Sequence, residues 1–420
     1  MQKKRFAIVG AGARATSFAR PLTTVYRDAA DLVALCDTNP LRMKGFNEYM
    51  ETHIPAFTDF AEMVERTSPT HAIVCTPDHT HDAIIEKAFS HGLEAICEKP
   101  MATDEEKVRR ILALEKEHGK QVTVAFNYRY IPYSAQIKKI LSEGVLGGIR
   151  SVSLEWLIDK VHGAEYFRRW HANMANSGGL FVHKATHHFD LVNWFVDSEP
   201  ESVSAFGDLH VYGANGPFRG ERCSTCPHSG GECPCEMKIH LEEKHKRIFD
   251  KLYWEPEPGD GYIRDRCVFR EGIDIFDTMN AVVRYRSGAQ LSYALNAYSP
   301  VEGYRLGITG TRARLEATTL NKNTMEAGIM MEGETGEDVI AIWRGQTRED
   351  ISCERVPVAK DPAAHGGGDK RMFEHLYGEG VPDPLGQAAG SRAGAMSCLI
   401  GIAANRSAKD GRAVRISEIL

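Results

Sequence analysis

A doubly wound parallel α/β sheet, followed by an α+β domain with a large, mostly antiparallel open sheet, is the fold this sequence predicts. Three observations point there. Up to about residue 130, short apolar runs alternate with amphipathic ones at the spacing of βα units. A glycine-rich turn, Gly10-Ala11-Gly12, separates the first apolar run from the first amphipathic stretch. Beyond residue 130 apolar residues recur with period two, as in strands with one covered face.

Arg5 to Val9 reads as a buried strand, and the turn after it opens a helix reaching about Tyr26. Leu32 to Asp37, His71 to Thr76, Leu93 to Glu98 and Gln121 to Phe126 read as further strands, with helices between them. Thr103 and Glu106 have capping-box spacing for one helix, and Gly119 is its stop. Residues 1–130 thus form one expected domain and 131–420 the second. In the latter, Ser151 to Ile158 alternates, and Met279 to Tyr285 and Gln290 to Leu295 flank Arg286-Ser287-Gly288-Ala289 like a hairpin. A segment rich in Gly, Cys and charge, about 213–270, reads as an insertion. Leu385 to Ser407 is the last expected helix, its small residues suited to tight packing back toward the first domain. The bare face of the second sheet is the expected surface for a homodimer or homotetramer.

Of 420 residues, 42% are hydrophobic and 26% charged, an ordinary globular composition. Net charge is −6 and no stretch is strongly basic, which argues against nucleic acid or an anionic membrane as partner. No apolar segment has signal-peptide or membrane-span character, so the cytoplasm is the expected location.

Gly10-Ala11-Gly12-Ala13-Arg14-Ala15 fits G-x-G-x-x-A, a form of the Rossmann dinucleotide fingerprint. Gly10 allows the tight turn, Gly12 lets backbone approach a pyrophosphate, and Ala15 keeps helix and strand close. The helix N-terminus offers N–H groups and positive dipole charge to phosphates. Asp37 ends the second strand, where a carboxylate bonds the ribose 2′-hydroxyl and repels a 2′-phosphate; this favours NAD over NADP. Arg42 is the residue that could accept the phosphate instead, and Asp37 also suits a helix N-cap.

Three motifs follow at strand ends: Thr76-Pro77-Asp78-His79-Thr80-His81, Glu98-Lys99-Pro100 and Asn127-Tyr128-Arg129. With the fingerprint they resemble the glucose–fructose oxidoreductase and inositol dehydrogenase (Gfo/Idh/MocA) family, over nearly the whole chain. The resemblance implies an NAD(P)-dependent oxidoreductase acting on a sugar, sugar acid or polyol. It implies that Lys99 contacts both the nicotinamide ribose and the substrate, where a cation lowers the cost of an alkoxide. Thr76, Pro77, His81, Glu98 and Asn127 are the accompanying cofactor contacts, and Pro100 can hold the turn through a cis bond. In the second domain, Gly178-Gly179 precedes a helix in which His187 matches the family histidine, the expected general base, and Asp190 the following aspartate. His183 stands where inositol dehydrogenases carry aspartate, on the same helix face as His187. Lys184 is offset by about 100° on an ideal helix and binds substrate or flanks the site; His188 reads as structural. Arg129, Arg169, Trp170, His171 and His365 are the candidate substrate contacts.

Five of the ten cysteines fall between residues 223 and 267. Cys223, Cys226, Cys233 and Cys267, with Cys235 competing for a place, suggest a structural zinc in the insertion. The rival readings are a glycosidase that oxidises its sugar transiently and recycles NAD, and a non-catalytic sensor that keeps NAD.

Overall fold

The computed structural model describes residues 3–237, 243–321, 325–326, 329–330, 338–345, 347–358, 361 and 364–420. Six parallel strands, β1 (Lys4–Val9), β2 (Ala30–Cys36), β3 (Ala56–Phe57), β4 (His71–Val74), β5 (Glu94–Cys97) and β6 (Val122–Val124), lie in the order β3-β2-β1-β4-β5-β6. The chain works outward from β1, then jumps back to β4 on the other side. That reversal opens a crevice at the carboxyl ends of β1 and β4, where such sheets take their ligands. The strands are apolar throughout because both faces are covered; Phe6, Ala7 and Ile8 are fully buried.

Helices α1 (Ala13–Thr23), α2 (Pro40–Met50), α3 (Phe60–Thr67), α4 (His81–Ser90) and α5 (Glu105–His118) make the crossovers. Asn39 caps α2, its side chain accepting from the N–H groups of Leu41 and Arg42, with Pro40 fitted to the first helical position. Helix α5 starts one residue later than the Thr103–Glu106 spacing predicts. Asp104 is its cap, accepting from Lys107 N at 2.9 Å, since a carboxylate competes better than a hydroxyl for free N–H groups at a positive dipole end. Gly119 ends the helix in the left-handed region, as expected.

Among the described residues the second sheet has nine strands. Ile149–Asp159 lies at its centre, parallel to Gln290–Ser299 and antiparallel to Glu302–Gly310. The expected hairpin forms, with Leu291 opposite Val283. Glu302–Gly310 and Ala313–Asn321 make a second hairpin that the alternation did not signal, because glycines at 303, 307 and 310 interrupt it. The last helix is Ser391–Asp410; the expected first turn from Leu385 is instead a loop, tied by Asp383 to the N–H groups of Gln387 and Ala388. This helix lies on Ala185–Val196 and on the strand Pro200–Asp208, where Ser407 accepts from Ala205 N at 2.9 Å. It also reaches the first sheet, through a bridge from Gly390 to Thr123 and an Arg406–Glu105 pair at 2.6 Å.

The insertion runs between Pro200–Asp208 and Thr278–Tyr285, yet its second half packs on the first sheet's α2. Phe249 and Leu252 join the core that contains Phe6, Phe18 and Phe46. The approach is close enough that a Cβ on Gly45 would stand 1.9 Å from the Lys251 carbonyl oxygen. Asn39 Nδ2 donates to Pro256 O at 2.9 Å, and Lys251 pairs with Glu48 at 2.8 Å.

Candidate active site

A cleft of about 1700 Å³ opens at the switch point and runs between the two sheets. That exceeds the usual roughly 300–1,000 Å³ of a single small-molecule pocket, leaving room for a dinucleotide and a second ligand. Its floor is the glycine turn. Gly10 sits at φ +94, and a Cβ there would lie 2.7 Å from the Cys75 backbone. A Cβ on Gly12 would meet nothing within 4 Å, because that Cα faces open cleft. The cradle a pyrophosphate requires is therefore present, and the residues fit a dinucleotide. Ala15 is fully buried between helix and strand.

Asp37 serves three ends at once. Its Oδ2 accepts from Ala11 N at 2.7 Å, its Oδ1 from Asn39 N at 2.8 Å, and it faces the cleft. Arg42 also lines this end, held by Asp260 at 2.6 Å. Thr76 and Pro77 line the wall. Arg14, Glu98 and Asn127 line it too, but bind one another's partners. Arg14 pairs with Glu98 at 2.6 Å and with Asp369 at 2.9 Å, and Asn127 Nδ2 donates to Asp369 at 2.9 Å. The expected cofactor role of His81 is corrected. Its ring is fully buried, its nitrogens 2.9 Å from the carbonyl oxygens of Thr76 and Pro100, so it braces two loops beneath the cleft.

At the other end stands Lys99, before a cis peptide bond to Pro100. Its Nζ donates to His183 O at 3.3 Å. Burial lowers its pKa to about 8, against the opposing pull of Asp78 and Glu98. His183 Nδ1 lies 2.5 Å from Asp78 Oδ2. Burial, with Lys99 next in effect, pushes the His183 imidazole well below its ordinary value, and burial pushes Asp78 up. The expected offset of Lys184 does not hold. The helix breaks there into Leu180–His183 and Ala185–Val196, so His183, Lys184 and His187 all line the cleft. Lys184 Nζ donates to the Tyr128 hydroxyl at 3.2 Å. Burial pulls its pKa down, but Tyr128, Tyr166 and Glu302 outweigh that and hold it above its usual value. His187 stacks on Tyr128 with ring centres 4.1 Å apart. His188 is buried against Trp156, bonded to the Tyr293 hydroxyl at 2.7 Å, as a structural residue should be.

Arg169, Trp170 and His171 line the cleft as expected. Arg169 Nε reaches the Tyr262 hydroxyl at 3.4 Å. Arg129 is corrected from substrate contact to buried strut: its Nε and Nη2 hold Asp190, at 2.7 and 2.6 Å, and its Nη1 donates to Gly386 O at 3.1 Å, away from the cleft. Gly366 and Asp361 bring their loop to the cleft, while the His365 side chain lies outside the described part of the structure. The motifs did not single out Asp78, nor the relay in which His162 sits 2.9 Å from the Tyr166 hydroxyl and 3.0 Å from Glu302. Tyr253, Asp260 and Tyr262 of the insertion were also missed.

Cys223, Cys226, Cys233, Cys235 and Cys267 do line one small cavity. The expected zinc is not shown: among the described residues no three His, Cys, Asp or Glu side chains are grouped as metal ligands. The cation there is Arg168, whose Nη1 donates to Cys223 Sγ at 2.9 Å and whose Nη2 donates to Cys235 O at 2.7 Å. Burial raises the Cys233 thiol, and pushes the Cys235 thiol up to about 11.

With this geometry in view, the chain matches two family models. These are the oxidoreductase family, NAD-binding Rossmann fold, over residues 4–126, and the oxidoreductase family, C-terminal alpha/beta domain, over residues 138–416. The protein belongs to the Gfo/Idh/MocA oxidoreductase family, whose members bind NAD(P). A Bacillus subtilis protein named as an oxidoreductase, YteT, is 36% identical across 99% of this chain and 98% of its own. Inositol 2-dehydrogenase of Rhizobium meliloti is 27% identical over 48% of this chain and 57% of its own, so that match spans little more than half the relative. Among solved structures, the WlbA dehydrogenase from Bordetella pertussis, in complex with NADH and UDP-GlcNAcA, superposes with a TM-score of 0.64. It is 19% identical over 98% of this chain and 97% of that one, and shows the shared fold. No helix among the described residues is long and apolar enough to cross a membrane.

Proposed function

We propose that this chain is an NAD-dependent oxidoreductase moving hydride between nicotinamide and a secondary hydroxyl of a sugar, sugar acid or polyol. The observation that carries this is one cleft wall bearing the Lys99 ammonium beside the Asp78–His183 pair, reached from the glycine turn along a single cleft. His183, held uncharged by burial, accepts the hydroxyl proton, and Asp78 orients the ring and stabilises the imidazolium that forms. Lys99 stabilises the alkoxide oxygen. Bound NAD supplies the acceptor for the hydride. His183 thereby takes the base role that resemblance gives His187. His187, stacked on Tyr128 beside Lys184, forms the facing part of the wall and orients the ring. Arg169 suits an acid group on the sugar. Asp37 at the ribose end supports NAD. The inositol dehydrogenase relatives support the polyol class.

One observation favours the transient-oxidation glycosidase as second reading. The Tyr253 hydroxyl accepts from Ala13 N at 3.2 Å, so the insertion reaches over the glycine turn, where it would slow exchange of a bound cofactor. Two copies meeting through the outer face of the nine-stranded sheet is the assembly we propose. Phe206 and Val282, 75% and 52% exposed on neighbouring strands, are the apolar side chains that contact would cover.

The test is absorbance at 340 nm with NAD and a panel of sugars, polyols, sugar acids and aryl glycosides, with aglycone release followed in parallel. NADH accumulating with one substrate class is the expected result. Aglycone release that needs NAD but yields no net NADH would move the assignment to the glycosidase. Neither signal across the panel would leave the sensor reading.

A further inference from the structure

The adenosine end of the cleft is built by two parts of the chain more than 200 residues apart. From the first sheet come Asp37, at the end of β2, and Arg42, in the first turn of α2. From the insertion come Tyr253, Asp260, Gly261 and Tyr262. A short helix, Glu257–Asp260, delivers the Asp260 carboxylate against Arg42, with Nη1 to Oδ2 at 2.6 Å. The second carboxylate near that guanidinium is Asp37, at 3.6 Å. Arg42 Nε donates to the Leu252 carbonyl at 3.2 Å, again from the insertion. The side chain best placed to take a 2′-phosphate therefore already has Nη1 and Nε engaged, both by the insertion.

The docking that puts Asp260 there is built in. Gly45 and Gly259 are the points of closest approach. A Cβ on the first would collide with the Lys251 carbonyl oxygen, and one on the second would stand 2.5 Å from Asn39 Oδ1. Asn39 itself caps α2 and bonds Pro256 O at 2.9 Å. The first turn of α2, which carries Arg42, and the short helix that carries Asp260 share one hydrogen-bonded seam.

We propose that Asp260, carried by the insertion, is a specificity residue that excludes NADP, by neutralising Arg42 and adding a second carboxylate beside Asp37. The proposal rests on the reading that this cleft takes a nicotinamide dinucleotide. A 2′-phosphate entering here meets two carboxylates and a guanidinium already paired, and would break a half-buried ion pair to be held. The 2′-hydroxyl of NAD meets the Asp37 carboxylate as a hydrogen-bond acceptor and leaves the pair intact. Lys87, on α4, also lines this region, so the contribution of Arg42 must be isolated by substitution.

The experiment titrates the intact protein with NADH and with NADPH, following nicotinamide fluorescence, for four chains: native, Asp260→Asn, Arg42→Ala and the double variant. The native chain is expected to prefer NADH. Asp260→Asn should tighten NADPH about tenfold or more, with NADH moving less than about threefold, the sign of a freed guanidinium. The gain should vanish in the double variant, because Arg42 is what the substitution releases. An unchanged NADPH/NADH ratio in Asp260→Asn overturns the proposal. So does equal weakening of both cofactors, which would make Asp260 a strut of the insertion only. A gain that survives removal of Arg42 also sinks it. Asp260→Ser, which keeps an acceptor for Tyr262 N–H, serves if the Asn variant melts early. If the native chain binds neither nucleotide, the reading of the cleft falls, which is distinct from a native chain that binds both equally.

Discussion

Asp78 and His183 reach each other from the two domains, so each tests the same proton path separately. His183→Asn should lower kcat by about 10²- to 10⁴-fold, the usual worth of a positioned base. His187→Asn should cost clearly less, through ring orientation; steady-state kinetics on the two variants decides which histidine takes the proton. The pH profile belongs to Lys99, faced by Asp78, Glu98, Lys184 and Arg14, with a pKa near 8. Below 8 the ammonium is present, so oxidation should fall as pH rises through about 8. Lys99→Arg should remove that limb even at reduced rate. The sign for stability is opposite. Between about 8 and the ordinary lysine value near 10.4, the unfolded chain holds a proton that the folded chain has lost, so stability rises with pH across that window. Arg129 makes a purely structural claim. Arg129→Ala strands a buried Asp190 and should cost about 3–5 kcal/mol in denaturant melts, with KM unchanged in the protein that stays folded. Lys99 was legible because its three-residue motif has a family meaning. Asp78 was not, because its motif read as cofactor loop, and no pattern in 71–81 says that a histidine over 100 residues later will meet it.

The parallel strands were legible element by element, since burial on both faces leaves apolar runs that tolerate little else. The insertion was legible only as an interruption. Its composition is polar, and Phe249, Leu252 and Tyr253, though spaced i, i+3, i+4 as on one helix face, do not say which element that face covers. What they match is a gap on another element, the bare backbone at Gly45. Gly45→Ala should force the two apart, cost about 1–3 kcal/mol by overpacking, and raise proteolysis between residues 247 and 262 on gels. The cysteine spacing was only half legible for a related reason. It shows that the thiols share a place, as they do, but not that a guanidinium from the helix Lys160–Arg168 already stands there. Arg168→Ala should loosen the same segment without removing any cleft residue.

The two sheets do not merely abut. Arg14, Glu98, Asn127 and Asp369 cross from one end of the chain to the other beneath the cofactor cleft, and the last helix bonds both sheets. Heat should therefore unfold the protein in a single transition, and NADH at about 100 times its Kd should raise the midpoint by the equivalent of roughly 2.7 kcal/mol. Two separated transitions, with NADH moving only the first, would show that the halves melt independently. The insertion also sets a timetable. The glycine turn leaves the ribosome early, whereas Asp260 follows some 250 residues later, roughly 10–50 s at about 5–20 residues per second. During that interval a nascent first domain owns a dinucleotide fold without its gatekeeper. Until then, on our proposal, Asp37 alone opposes a 2′-phosphate, and the second carboxylate arrives only as synthesis passes the insertion.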